Sequence, residues 1–117
     1  MEAVNIGPRE RGKRRVLGVV SLTVGVAVAF VLVTAGAPRF ARLVVFFPVW
    51  LAGLGLLQSR EQTCIALAAR GARNMDAGEE RIEDDELNAR LRDKSRRINR
   101  RALITAAVIT AVTLAFP

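Results

Sequence analysis

The chain of 117 residues carries a net charge of +7, from 18 lysines or arginines and 11 acidic residues, and it contains no histidine. Its length allows a single domain, and the lack of histidine excludes histidine-dependent catalysis and histidine-ligated haem, pigment or zinc. A single cysteine, Cys64, excludes a disulfide within the chain. With no base beside it in the sequence, we expect Cys64 to be structural.

Hydrophobic residues make up 51% of the chain and charged residues 25%, which are ordinary values, so their distribution is the informative feature. No charged residue occurs in residues 16–38, 43–59 or 102–117. Globular domains interleave the two classes at helical or strand period, whereas membrane proteins separate them. The sequence therefore predicts an all-α integral membrane protein with three transmembrane helices and a helical, charged cytoplasmic loop.

The first elements are a polar, basic leader, residues 1–15, and a first span, residues 16–37. Gly7 and Pro8 argue against an early helix in the leader. The span is long enough, at about 1.5 Å per residue, to cross a hydrocarbon core of about 30 Å. A small-residue "AGA" at its end resembles a signal-peptide cleavage site, and the arginine pair before it resembles a twin-arginine signal. Because the apolar run exceeds a usual signal core, we expect an uncleaved span.

The second span is predicted over residues 38–58. Arg39 and Arg42 lie near its start, and we expect their side chains to extend to the membrane surface. Pro48 lies inside the span and should bend the helix, because it removes a backbone hydrogen bond. Trp50 lies in the middle of the segment, so we expect it to pack against another helix.

Residues 59–98 form the predicted cytoplasmic loop. An S-x-x-Q pattern that starts at Ser59 resembles a capping box and predicts that a helix restarts there. Residues 60–72 carry a weak apolar face, which is typical of a helix lying on the membrane surface. The sequence "NMDAG" at residues 74–78 predicts a break.

A further helix is predicted after this break, since Asp76 and Glu79 repeat the capping spacing. Its acidic part, residues 79–86, is expected to be a solvated face, and cation binding there is left open. Two i,i+4 ion pairs are predicted along the helix, Glu86–Arg90 and Asp93–Arg97. The apolar face of the same helix consists of Leu87, Leu91 and Ile98.

The third span, residues 99–117, is predicted to continue this helix without a break. The leader contains five lysines or arginines, the first connection two, and residues 59–101 eleven. The positive-inside rule then places the amino terminus and the 59–101 loop in the cytoplasm and the carboxyl terminus outside. The composition suggests a bacterial cytoplasmic membrane.

Arginines next to the spans are predicted to mark the membrane boundary or to contact lipid headgroups. These residues are Arg14, Arg15, Arg39, Arg42, Arg96, Arg97, Arg100 and Arg101.

Two spans carry stripes of small residues at helical spacing, which allow helices to approach closely in lipid. The first stripe is Gly18, Ser21, Gly25 and Ala29, and the second is Ala102, Ala106, Thr110 and Thr113. The second span shows no such stripe. Each stripe either joins the three helices of this chain or docks another protein. The opposite face of the third span is predicted to contact lipid through Ile104, Val108 and Val112.

No catalytic site, metal site or cofactor is predicted, although a lipid, pigment or quinone between helices is left open. The sequence predicts a non-catalytic accessory or structural subunit of a larger membrane complex, with membrane lipid and other membrane subunits as partners. A homo-oligomer is possible, and nucleic acid is not an expected partner because no recognised module accompanies the basic charge. The alternatives are a homo-oligomeric small channel or transporter and a scaffold that binds anionic lipid.

Overall fold

The computed structural model describes residues 3–116. The first two residues of the predicted leader and Pro117 of the predicted third span lie outside the described residues. The described elements, in chain order, are α1 (Pro8–Thr34), α2 (Arg39–Arg42), a 3-10 turn (Leu43–Val45), α3 (Phe46–Glu61), α4 (Ile65–Ala69), β1 (Ala72–Asn74), β2 (Glu79–Arg81) and α5 (Asp85–Ala115).

Three helical stretches are long and apolar enough to cross a membrane, as predicted. They are Pro8–Thr34, Arg39–Glu61 and Asp85–Ala115. The central stretch packs against both α1 and α5, so α3 lies between the other two long helices. The result is an elongated molecule with extents of 53 × 23 × 19 Å. The fold is mostly helical rather than all-α, because β1 and β2 form a short antiparallel hairpin.

Helix α1 begins eight residues before the predicted span. Pro8 occupies the first helical position, where its missing N–H costs nothing, so it starts the helix that it was expected to prevent. The helix ends at Thr34 because Gly36 adopts a φ of +68°. The N–H of Ala37 then donates to the carbonyl of Leu32 at 3.0 Å, which is the Schellman arrangement of a helix end.

Helix α3 runs through Ser59 to Glu61, so the predicted restart at Ser59 is wrong. The helix ends where Gln62 adopts a left-handed conformation with a φ of +52°. Pro48 lies in the first turn of α3, directly after the 3-10 turn, where a missing backbone donor is tolerated.

The segment after α3 differs most from the prediction. The predicted surface helix 60–72 is not continuous: its first two residues belong to the end of α3, and only Ile65–Ala69 forms a separate helix before Gly71 turns the chain with a φ of +64°. The predicted capping by Asp76 and Glu79 is also wrong, since Glu79 starts β2. Helix α5 is capped instead by Asp84, whose Oδ1 accepts from two backbone N–H groups at 3.0 and 3.2 Å.

The leader is tied into the fold. The backbone N–H of Asn5 donates to the Gln62 carbonyl at 3.0 Å, and the Asn5 carbonyl accepts from the N–H of Asn74 at 2.8 Å. Residues 3–7 therefore lie between the end of α3 and strand β1. Together with residues 62–84 and the start of α5, residues 85–95, they form a compact unit that we call the polar cap.

The polar cap has its own small core, separate from the contacts between the long helices. One cluster of buried residues joins Ile6, Cys64, Leu67 and Ala72. A second cluster joins Ala68, Ile82 and Leu91, with the predicted apolar residue Leu87 packed against it. As predicted, α5 continues unbroken from this core to Ala115.

Candidate functional site

The small residues of α1 contact α3. Gly18, Ser21 and Gly25 are buried, and Ala29 is half-buried. A Cβ placed on Gly55 of α3 would lie only 2.7 Å from the backbone nitrogen of Gly18. A small-residue stripe that the sequence reading missed, Ala52, Gly55 and Ser59, is buried on α3. Large residues between these positions, such as Leu54 and Leu57, concealed its spacing.

The small residues of α5 also lie inside the molecule. The predicted stripe Ala102, Ala106, Thr110 and Thr113 is buried along its whole length. A Cβ on Gly53 of α3 would lie 3.2 Å from the Cβ of Ala102, and Ala106 packs against Val45 and Val49. Both stripes are therefore in contact with a neighbouring helix of the same chain, and docking of another protein through them stays a prediction.

The outer faces of the long helices carry large apolar side chains. The predicted lipid-facing residues Ile104, Val108 and Val112 are 57%, 57% and 55% exposed. Phe30 on α1 and Phe47 on α3 are more exposed still. Among the described residues, two large apolar side chains are exposed outside the three candidate spans: Phe116, directly after α5, and Met75, at the tip of the hairpin.

The predicted boundary arginines fall into two groups. Six of them are exposed: Arg15, Arg39, Arg96, Arg97, Arg100 and Arg101. Arg42 is only 3% exposed, so the prediction that it extends to the surface is wrong. Its guanidinium donates to the carbonyls of Thr113 and Phe116 at 3.2 and 2.7 Å. The last carbonyls of a helix lack partners within the helix and carry partial negative charge, which explains the position of Arg42.

The remaining predicted boundary residue, Arg14, points into the polar cap. Its guanidinium donates to the sulfur of Cys64 at 3.1 Å. Cys64 is 3% exposed, and both of its backbone groups pair with the side chain of Asn5, at 2.6 and 3.1 Å. These contacts give Cys64 a structural environment, in which it joins the leader to the end of α3.

Asp76 stabilises the start of α1 from a distant part of the chain. Its two carboxylate oxygens accept from the backbone N–H groups of Arg9 and Glu10 at 2.9 and 3.0 Å. The hydrogen bond from the Arg9 N–H lowers the pKa of Asp76 below 3.8, partial burial opposes the shift, and the Glu10 N–H and two nearby cations reinforce it. The carboxylate therefore fills the role of an N-cap that Gly7 cannot supply.

Lys94 joins three segments. Its ammonium group donates to the carbonyls of Ala3 and Glu61, each at 2.7 Å, and lies 3.7 Å from the Glu61 carboxylate. The side chain is only 13% exposed. Lys94 thus fastens the leader and the end of α3 to the first half of α5.

Ion pairs on the surface follow the observed elements rather than the predicted helix. The predicted Glu86–Arg90 pair is confirmed at 2.6 Å. The predicted Asp93–Arg97 pair is replaced by a contact of 3.6 Å between Asp93 and Arg96. Two further ion pairs, Arg70–Glu79 and Arg73–Glu80, have lengths of 2.8 and 3.1 Å. They form because the chain folds back at the hairpin, so the prediction of a helix after residue 78 does not include them.

A groove of about 350 Å³ lies between α4 and α5, and we call it the α4–α5 groove. It is lined by Ile65, Ala69, Arg92, Ser95, Arg96 and Asn99. At its far end, the indole N–H of Trp50 donates to Oδ1 of Asn99 at 3.3 Å. This contact satisfies the expectation that Trp50 packs against another helix. A more polar cavity of about 530 Å³ adjoins the groove at Ala69 and Arg92.

No protein-family model, curated protein or solved structure matches this chain. Within residues 3–116, no three histidine, cysteine or acidic side chains come together in the manner of a metal site.

Proposed function

We propose that the chain is a small, non-catalytic integral membrane protein that serves as an accessory or structural subunit of a larger membrane complex. The observation that carries the proposal is the combination of three apolar helices, exposed on their outer faces, with a polar cap that is firmly bonded to their ends. The bacterial cytoplasmic membrane is the proposed location.

The small buried fraction of the candidate spans supports insertion into a membrane. Within the molecule, only 11%, 28% and 28% of the most apolar stretch of each span is buried. The rest presents valine, leucine, isoleucine and phenylalanine outward. Contiguous apolar surface of this extent requires lipid or a partner to cover it.

The charge distribution supports a cytoplasmic position for the polar cap. The leader and residues 59–101 hold 16 of the 18 lysines and arginines, and both belong to the same end of the molecule. Under the positive-inside rule this end faces the cytoplasm. A reporter that is active only outside the cytoplasm, fused after Phe116, should be active. Activity of a cytoplasmic reporter at the same position would contradict the orientation.

The hairpin tip is the proposed contact for a partner on the cytoplasmic side. Met75 is 42% exposed there, and the flanking strand β2 is exposed over Glu79–Arg81. Methionine adapts to varied surfaces, and an open strand edge offers unpaired backbone groups to a partner chain. Because the cap is held by Asp76 and Lys94, this surface is already ordered before a partner binds.

Purification in mild detergent followed by mass spectrometry of co-purifying proteins tests the proposal. A partner of different sequence in a fixed ratio is expected. Met75→Ser should reduce its recovery, whereas the matched surface change Ala66→Ser on α4 should not. A pure homo-oligomer would contradict the accessory role, and equal recovery with both variants would show that the hairpin tip is not the contact.

A further inference from the structure

The α4–α5 groove combines an apolar floor with a cationic rim. Ile65 and Ala69 of α4 supply the floor, and Arg92 and Arg96 of α5, one helical turn apart, supply the rim. Arg92 forms no ion pair with any of residues 3–116. Arg96 has only a 3.6 Å contact with Asp93, in which both side chains are more than 70% exposed. The two guanidinium groups are therefore available to an anion.

The amide of Asn99 adds a neutral donor at the other end of the groove. Its Oδ1 accepts from the indole of Trp50, which fixes the orientation of the amide. The Nδ2 group is then left as a donor beside the groove. An occupant that presents acceptor oxygens at one end and apolar groups against the floor matches this arrangement.

The position of the groove along α5 matches the depth of a lipid headgroup layer. Asn99 begins the predicted third span, and the indole of Trp50 reaches it from within the second span. At about 1.5 Å per residue, Arg96 and Arg92 lie about 5 and 10 Å further from the hydrocarbon. The headgroup layer of one leaflet is about 5–8 Å thick, so the rim of the groove spans it.

We propose that the α4–α5 groove binds one anionic phospholipid of the cytoplasmic leaflet. Its phosphate lies between Arg92 and Arg96, an ester oxygen accepts from Asn99, and the glycerol carbons between them rest on Ile65 and Ala69. Two cations at the rim, of which only Arg96 has a carboxylate nearby, favour a lipid with net negative charge over a zwitterionic one. The inference rests on the membrane insertion proposed above.

Trp50 provides the measurement, because it is the only tryptophan in the chain. The full chain is reconstituted in vesicles that contain brominated phosphatidylglycerol or brominated phosphatidylcholine, and quenching of Trp50 reports which lipid occupies the nearby site. We expect phosphatidylglycerol to be preferred by at least about fivefold, the selectivity of one well-placed cation at an anionic surface. Equal quenching by the two lipids would overturn the proposal.

Two matched double variants distinguish a localised lipid site from a general attraction between the basic helix and anionic lipid. Arg92→Gln with Arg96→Gln removes the rim of the groove, and the preference should fall to within about twofold of none. Arg90→Gln with Arg97→Gln removes the same charge from α5 outside the groove and should preserve the preference. An equal loss in both double variants would show that the attraction is not localised in the groove.

A third variant tests the floor without changing the charge. Ala69→Phe should fill the groove and abolish the preference as the rim variant does, and a preserved preference would contradict binding there. Soluble glycerol 3-phosphate tests the source of the phosphate. If it removed the preference, the groove would bind a free phosphate ester rather than a lipid.

Alkaline carbonate extraction distinguishes failure of this inference from failure of the proposed insertion. A wild-type chain that stays in the membrane but shows no lipid preference would refute the groove alone. Extraction of the wild-type chain would refute both. Each variant is expected to remain in the membrane, since the apolar faces of the three helices are unchanged.

Discussion

Gly18 of α1 and Gly55 of α3 meet with no side chain between them. A Cβ added to Gly55 would lie 2.7 Å from the nitrogen of Gly18 and 2.8 Å from its Cα, and one added to Gly18 would lie 2.8 Å from the nitrogen of Leu56. These distances are too short for real atoms, and the three atoms nearest to a Cβ on Gly55 all belong to the backbone of α1, which cannot move aside cheaply. The two glycines therefore set how closely α1 approaches α3.

Because the two glycines are in contact, we expect the addition of a single methyl group to reduce the stability of the fold. Gly55→Ala should destabilise the packing of α1 on α3 by about 1–3 kcal/mol, because the added methyl group forces the helices apart. Gly12→Ala is the matched control, since Gly12 lies in α1 with no atom within 4 Å of its added Cβ. It should be neutral or stabilising by about 0.5–1 kcal/mol. Equilibrium unfolding in detergent measures both, and equal stability of the two variants would refute the contact.

We expect Arg42, a buried cation, to stabilise the end of α5. Arg42→Met should cost about 1.5–3 kcal/mol, because the carbonyls of Thr113 and Phe116 lose a charged donor. Arg39→Met is the control on the same short helix, and the exposed position should tolerate it within about 0.5 kcal/mol. Thermal unfolding in detergent compares them. If the two variants had the same midpoint, Arg42 would have no role in stabilising α5.

The two lysines of the chain should react differently with an amine reagent. Lys94 is 13% exposed and holds two carbonyls, whereas Lys13 is 65% exposed and pairs only with Glu10. Mass mapping should therefore show slow labelling at Lys94 and fast labelling at Lys13.

Removing the Lys94 contact should release the leader. Lys94→Met should lose hydrogen bonds of about 1.5–3 kcal/mol and make residues 3–7 sensitive to protease. Lys13→Met should leave protease resistance unchanged, because its side chain is solvated. Protection of residues 3–7 in the Lys94 variant would show that other contacts hold the leader.

Because the Asp76 carboxylate caps α1, we expect the start of this helix to lose stability in acid. Its folded pKa is lowered below 3.8, mainly by the Arg9 N–H, so its stabilising effect is complete above pH 3.8 and is lost as the pH falls below that value. Amide exchange at Arg9 and Glu10 should accelerate in this range, beyond the change expected from pH alone. Asp76→Asn should remove the extra acceleration, since it has no charge to lose. An identical pH profile in the two proteins would contradict the capping role.

The long helices could be predicted because their signal is local. Unbroken apolar runs identify the candidate spans, and the helical spacing of Leu87, Leu91 and Ile98 identifies the face of α5 that packs inward, in the cap and just beyond it. The stripes on α1 and α5 were visible for the same reason, since small residues recur at helical spacing on an otherwise large-residue background. On α3 the small residues are interspersed with leucines, and their common face emerged only from the packed structure.

The polar cap could not be predicted because its decisive contacts are distant in sequence. Asp76 caps a helix 67 residues before it, and Asn5 pairs with Cys64 across 59 residues. Local rules assigned Ser59 and Asp76 to helix starts, since their side chains can form local caps. In the structure, each position is governed by its neighbours from other segments, and those hydrogen bonds outweigh local propensity.

The α4–α5 groove could likewise be predicted only in part from the sequence. The arginines of α5 are evident in the sequence, but their grouping into a rim requires the short helix α4 to lie beside them. The sequence predicts Arg42 at the membrane surface, because a charged side chain beside an apolar run usually extends into water. It is buried because the end of α5 supplies carbonyl acceptors that no reading of residues 38–58 could reveal.

By itself, the sequence determined where the apolar helices lie and which ends carry the charge, because burial of apolar surface depends on composition over a single continuous segment. The tertiary structure decided which small residues meet, which arginine is buried and how the leader is held. Those outcomes depend on hydrogen bonds and close packing between segments that are far apart in the chain. The position of each partner is set by the packing of the whole fold.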